Sequence, residues 1–205
     1  MLDLVSFLQA LSDLKSIPRS GWLSHRISLQ DVESVADHSF STSVLSMVLA
    51  NFEVKMGRRV NVERILKMAL LHDLAEVLTF DISKAYLEYL GSRGRKMKNE
   101  IEKSACSHLS EAMEPFGLSE DYAAVCDEYL KDRTIEAHIV HAADRLDILL
   151  QVINLEHRGY PGIMMRDLWQ KTNEALANSK LGSVQKIQRI IAKERNPRPR
   201  VRRQT

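Results

Sequence analysis

Residues 66–81 read Leu66-Lys67-Met68-Ala69-Leu70-Leu71-His72-Asp73-Leu74-Ala75-Glu76-Val77-Leu78-Thr79-Phe80-Asp81. Leu66, Ala69, Leu70 and Leu74 recur at helical spacing, which predicts a largely buried amphipathic helix. Three ionisable groups, His72, Asp73 and Glu76, interrupt the apolar run. His72 and Glu76 are four apart and stack on one helix face, with Asp73 beside them. Burying a carboxylate or imidazole alone is costly, so each needs a charge, a hydrogen bond or a metal. An acid–imidazole cluster inside a core helix is a placement that binds a cation.

Working outward, Asn61 is an N-cap for this helix, which runs through about Leu78. Upstream, a helix from Ser34 or Val35 to about Met56 carries the apolar stripe Phe40, Val44, Leu45, Val48, Leu49 and Phe52, with His38 in its first turns. A first helix over 2–15 shows Leu4, Phe7, Leu8 and Leu11 on one face and stops at Ile17-Pro18. Between the two, residues 19–34 are polar and irregular, a loop of functional length. Downstream, Asp81 could cap a short helix with Tyr86, Leu87 and Leu90, and Gly91–Gly94 reads as a turn. A charged helix follows from about Arg95 to Met113, stopped by Pro115 and Gly117. Ser119 opens another, through Lys131. Thr134 opens the next, Ile135 to about His157, with Ala142, Ala143, Leu146, Leu149, Leu150 and Ile153. Gly159 to Gly162 breaks the chain before a helix to about Asn178, and a last helix spans Ser183 to about Lys193. No strand-like alternation, repeat or internal linker is present. The expectation is an all-α single-domain bundle over 1–180, with a C-terminal helix and basic tail over 181–205.

The composition agrees: 205 residues, 44% hydrophobic and 27% charged, enough for one well-buried domain. No apolar run reaches membrane-span length, and the N-terminus lacks the basic region of a signal peptide. Two cysteines, Cys106 and Cys126, are too few for a disulfide scaffold and lack the CxxC spacing of a zinc-thiolate site. A reducing cytoplasm is the expected location. The formal net charge is +2, but five arginines lie in residues 195–205, so the rest of the chain is net −3. That Pro- and Arg-rich end could touch nucleic acid, but no aromatic residue is interleaved with it, and it reads as a solvated tail.

Asp144, on the face Val140-Asp144-Ile148 of an apolar helix, is a second misplaced charge; by itself it could pair with the flanking Arg145. His38, among serines, could likewise be a satisfied core histidine. Together, His38, His72, Asp73 and Asp144 form a mixed imidazole–carboxylate shell drawn from three helices. Such a shell suits Mn, Fe, Co, Ni or Zn and leaves positions open on an octahedral ion.

The order His38 … His72-Asp73 … Asp144 resembles the H…HD…D signature of HD-domain metal-dependent phosphohydrolases. Around it, Arg19-Ser-Gly-Trp22, Glu33-Ser-Val-Ala-Asp-His38-Ser, the stretch His72–Asp81 and Ala142-Ala-Asp144-Arg-Leu-Asp resemble the 5′-deoxynucleotidase branch. The resemblance covers roughly residues 4–160. It implies a helical HD fold, a homodimer, and hydrolysis of deoxyribonucleoside 5′-monophosphates to deoxynucleoside and phosphate. One departure stands out: the branch usually has Gly-Asp where this chain has Phe80-Asp81, and a proline-containing segment where this chain has Ile82-Ser83-Lys84-Ala85.

The resemblance assigns His38, His72, Asp73 and Asp144 as metal ligands, with Glu76, Asp81 and Asp73 as the catalytic carboxylates. Glu76 would orient or deprotonate the attacking water, protonate the leaving oxygen, or hold a histidine ring. Asp81 would sit near the leaving oxygen and the sugar 3′-hydroxyl, or cap a helix. Arg19 offers a planar, permanently charged fork for the phosphate. Trp22 would crowd the ribose 2′ position, stack near the sugar, or staple its loop, with His25 and Arg26 as lesser candidates. Glu33 would order the start of the His38 helix. His108, His138, His141 and His157 read as structural or surface residues. Two other readings remain: the same metal site acting on another nucleotide or small phosphoester, and a non-catalytic helical module binding nucleic acid through its arginine tail.

Overall fold

The structure, a computed structural model, describes residues 4–83 and 87–195. Helices α1 (Leu4–Asp13), α2 (Ser20–Ser24), α3 (Val35–Lys55), α4 (Val62–Leu71) and α5 (Glu76–Thr79) lead into α6 (Gly91–Ala112) and α7 (Ser119–Lys131). Then follow α8 (Ile135–His157), α9 (Arg166–Ala177) and α10 (Gly182–Arg195). Short 3-10 turns at Glu114–Phe116 and Gly162–Met165 join neighbours. Among the described residues there is no strand, and no helix is long and apolar enough to cross a membrane. The all-α single-domain expectation is borne out.

Helix α8 is the axis, because it is buried over most of its circumference. Ala137, Ile139, Val140, Ala142, Ala143, Leu146, Leu149, Val152 and Leu155 are all buried, and α3, α4, α7, α9 and α10 pack around it. Thr134 starts it as expected, its hydroxyl accepting from the Ala137 amide at 3.1 Å. Asn61 likewise caps α4 through the Arg64 amide at 3.0 Å. A second apolar cluster of Leu74, Ala75, Ala105, Leu109, Met113, Tyr122 and Cys126 ties α6 and α7 to the turn after α4.

Four expectations are corrected. The predicted central helix breaks at His72–Ala75, and Leu70 is exposed. The stripe predicted for α3 is largely inverted: Phe40, Val44 and Val48 face outward, while His38, Ser39, Thr42, Ser43, Ser46 and Glu53 are buried with Leu49 and Ala50. Small hydroxyl side chains allow close approach and return their hydrogen bonds locally, as Ser43 does to the Ser39 carbonyl. The loop 19–34 contains α2, and Gly91–Gly94 is the first turn of α6 rather than a separate turn. There Gly94 lies against the Leu87 backbone so closely that a Cβ would come within 2.2 Å of its carbonyl oxygen. Of the short helix expected after Asp81 with Tyr86, Leu87 and Leu90, residues 81–83 are not helical, 87–88 are helical, and 84–86 lie outside the described residues.

Arg195, read with the tail, belongs to α10: it pairs with Glu156 at 2.6 Å and stacks on the Trp169 ring at 4.1 Å. The rest of the tail lies outside the described residues. The start of α10 is held by the fully buried Glu53, which accepts from the Ser183 amide and hydroxyl and pairs with Arg58 at 2.9 Å. A carboxylate at a helix N-terminus satisfies otherwise unpaired amides and the helix dipole.

Candidate functional site

A capping box sets the first ligand candidate. Ser34 Oγ accepts from the Asp37 amide at 3.1 Å, and Asp37 accepts from the Ser34 amide at 3.0 Å. His38, one residue on, is thereby fixed with its ring in the core. Its Nδ1 hydrogen goes to Asp147 Oδ2 at 2.7 Å, and Ser41 donates to the other oxygen of Asp147. The Nε2 atom then faces Asp144 Oδ1 at 3.3 Å and Asp73 Oδ2 at 3.6 Å.

The break after α4 sets the second. His72 Nδ1 donates to the Ala69 carbonyl at 2.8 Å, the acceptor that the Asp73 amide would use in a continuing helix. The chain tightens instead, with i→i+3 bonds from Leu74 to Leu71, Glu76 to Asp73 and Leu78 to Ala75. Because a carbonyl only accepts, the Nδ1 proton is assigned and Nε2 keeps its lone pair. That Nε2 lies 3.3 Å from Asp73 Oδ2. Ligand atoms of His38, His72 and Asp144 all lie within 4.8 Å of one another, and Asp73 touches the group through both histidines.

Arg19, the residue before α2, enters the same space. Its guanidinium is 2.9 Å from Asp73, 3.7 Å from Glu76, 3.9 Å from Asp144 and 4.0 Å from Asp81. The electrostatics follow. Burial opposes ionisation of Asp73, but His72 and Arg19 outweigh it and hold the carboxyl well below its usual range. Asp144 is held low against burial by His38 and Arg19. Glu76 goes the other way, to about 9, because burial and the Asp73 charge both disfavour its anion. Burial and Arg19 disfavour a charged His38, yet hydrogen bonds to Asp144 and Asp147 raise it to about 10.

His72 Nε2 and Glu76 Oε2 are buried without hydrogen-bond partners. Nε2 of two imidazoles and two carboxylates held below their usual range converge there, and a bound cation would take the place of the proton on His38. This donor set fits a divalent metal ion.

Arg19, His72, Asp73, Glu76 and Asp144 line a cavity of about 900 Å³, which Trp22, His25, Phe80, Asp81, Lys98 and Tyr129 also line, while His38 is buried behind them. Trp22 is buried and donates Nε1–H to Glu33 at 2.8 Å. Glu33 is lifted to about 7 by burial and Asp147, against the Trp22 hydrogen bond, and its carboxylate lies within 4.8 Å of ligand atoms of His38 and Asp147. Arg26 is exposed and lies outside the cavity wall, as do His108, His138 and His157. His141, read as structural or surface, lines the cavity and stacks on Tyr129 at 4.1 Å. Asp147 was missed because, three residues after Asp144, it reads as another flanking charge; the helical offset from His38's contact carboxylate was the available signal. Lys98 was lost among the charges of its helix. Phe80 has φ 57° and ψ 169°, a backbone region nearly confined to glycine that costs other residues about 1–3 kcal/mol.

With this geometry in place, comparison is decisive. The HD domain matches residues 11–183. The chain belongs to the HD-domain family. It is similar to the 5′-deoxynucleotidase hdd1 of Schizosaccharomyces pombe, 31% identical over 77% of this chain and 74% of that one. It is 30% identical to the 5′-deoxynucleotidase HDDC2 of Danio rerio, over 79% of this chain and 74% of that one. An HD-domain phosphohydrolase from Listeria innocua, 23% identical, shares the fold with a TM-score of 0.79 across 96% of this chain and 91% of that one. The resemblance to the 5′-deoxynucleotidase branch is thus borne out by full-domain relatives.

Proposed function

We propose that this HD-domain protein is a metal-dependent 5′-deoxynucleotidase, hydrolysing deoxyribonucleoside 5′-monophosphates to deoxynucleoside and phosphate. The observation that carries the reading is the convergence of His38, His72, Asp73 and Asp144 on one point beside Arg19, Glu76 and Asp81. The four converging residues would hold one divalent ion, of the Mn, Fe, Co, Ni or Zn type, which when bound supplies Lewis acidity toward a phosphoryl oxygen and toward water. Arg19 binds the phosphate with its planar fork, exchanging carboxylate partners for phosphate oxygens. Glu76, whose environment favours the protonated form, takes the proton of the attacking water once more positive charge enters the site. Asp81 lies within reach of the same fork and serves the leaving oxygen and the sugar 3′-hydroxyl. Trp22, held by Glu33, forms the rigid wall against which the sugar rests.

The working unit is a homodimer. Support comes from the outward face of α3, where Phe40, Val44, Met47 and Val48 are exposed and the sequence from His38 to Phe52 carries no Asp, Glu, Lys or Arg. An uncharged apolar patch of this kind is self-complementary about a twofold axis. The free thiols of Cys106 and Cys126 suit a cytoplasmic setting.

The test is phosphate release by metal-stripped protein, with Mn, Co, Ni, Zn or Mg restored singly and matched deoxy- and ribonucleoside 5′-monophosphates as substrates. Metal-dependent turnover that favours the deoxy series and vanishes in Asp73→Ala is expected. Release of pyrophosphate or triphosphate from a nucleoside triphosphate, with no activity on monophosphates, would replace the reading with another phosphohydrolase.

A further inference from the structure

Phe80 is placed against its own interests. Its φ of 57° with ψ of 169° lies where a Cβ is disfavoured, and its ring gains no burial in exchange, being 65% exposed. Among the described residues the ring meets no aromatic or cationic partner. The backbone is nevertheless pinned. The Phe80 amide donates to the Glu76 carbonyl at 2.8 Å, and Thr79 Oγ1 donates to the Phe80 carbonyl at 3.1 Å. The same turn therefore fixes Glu76, Phe80 and Asp81 relative to one another.

The ring also lines the cavity. Asp81 is within 4.0 Å of the Arg19 fork, so the charged end of the cavity begins one residue further along. Solvent-exposed Phe80 marks the mouth, and Ile82, Leu168 and Ala175 give the same cavity apolar wall. A ligand matching this polarity is anionic at one end and flat and apolar at the other.

We propose that Phe80 is a specificity-determining residue, a stacking platform for the nucleobase of the substrate. The inference rests on the nucleotidase reading above and deepens it. Base–aromatic stacking tolerates any base, so Phe80 raises affinity for nucleotides over phosphomonoesters that lack a base, without choosing among bases.

The test uses metal-loaded wild type, Phe80→Gly and Phe80→Trp, assayed on deoxynucleoside 5′-monophosphates and on base-free 2-deoxyribose 5-phosphate. Calorimetric binding of the deoxynucleoside product is run beside them. Phe80→Gly is expected to lower the ratio of kcat/KM for the nucleotides to kcat/KM for the base-free substrate about tenfold. It should weaken product binding about tenfold and raise Tm by relieving the backbone. Phe80→Trp retains that ratio and product binding. Equal losses on both substrates, or no change on either, would overturn the proposal. Should wild type hydrolyse no nucleotide, the nucleotidase reading fails by itself. The binding measurement then still decides Phe80: tighter binding by wild type than by Phe80→Gly upholds stacking, and equal or absent binding overturns it.

Discussion

His72 gives its Nδ1 hydrogen to the carbonyl of Ala69, 2.8 Å away, three residues back along its own helix. One hydrogen bond thereby ends α4, sets the ring's tautomer and leaves Nε2 facing the carboxylates. His38 reaches the same state by a different route, through Asp147 at 2.7 Å. Both imidazoles thus have an orienting partner on the far nitrogen, the arrangement that raises ligand basicity.

Asp147→Asn should therefore weaken metal binding without removing a ligand. An amide can offer His38 Nδ1 an oxygen but no charge. A fall of about 10–100-fold in metal affinity is expected, read by competition with a chromophoric chelator. Unchanged affinity would mean that Asp147 only fills space.

The ion-free protein should lose stability as pH rises from about 6.5 to 9. Glu76, raised from 4.5 to about 9, and His38, raised from 6.5 to about 10, both hold more protons folded than unfolded in that interval. Excess protons on the native state make stability fall with pH. Metal binding expels those protons, so the rise in Tm on adding saturating Mn should be larger at pH 9 than at pH 6.5. Thermal unfolding with and without Mn measures both, and a metal increment that shrinks with pH would contradict the assignment.

Arg19→Ala removes the single guanidinium from among Asp73, Glu76, Asp81 and Asp144. Leaving partly buried carboxylates uncompensated is expected to cost about 3 kcal/mol in the ion-free protein. Much of that loss should return on adding metal, while KM for the nucleotide stays raised. Urea unfolding in chelator and in Mn separates the two effects.

Phe40→Glu places a charge in the middle of the outward face of α3. The variant should run as a monomer by light scattering while keeping the helical signal of the wild type, since Phe40 is 71% exposed and makes no part of the core. A dimer that survives this change is formed elsewhere.

Much of the site was legible because its members are chemically out of place. His72, Asp73 and Asp144 interrupt apolar runs, and together with His38 they point to one site. The bundle was legible for the same reason, in that apolar spacing and caps such as Asn61 and Thr134 are local signals. What escaped depends on partners distant in sequence. Nothing near Phe40 says that α3 will turn its serines inward, since that follows from its packing on α8, where Asp147 meets His38 and Ser41. Nothing near His72 marks the end of its helix, because the terminating hydrogen bond comes from a side chain whose ordinary helical behaviour is unremarkable. Arg195 looked like tail until Glu156 and Trp169 met it.

The tightened turn at 72–79 has a consequence for how this protein can change. Its inner residues, Leu74 and Ala75, are seated in the cluster with Leu109, Met113 and Tyr122, while His72, Asp73 and Glu76 leave the same few residues toward the cavity. Packing and chemistry share one piece of backbone. A conservative swap deep between α6 and α7 would thus register as altered turnover, and selection on activity would hold residues that never meet a substrate. Drift in that part of the molecule is policed by the reaction itself.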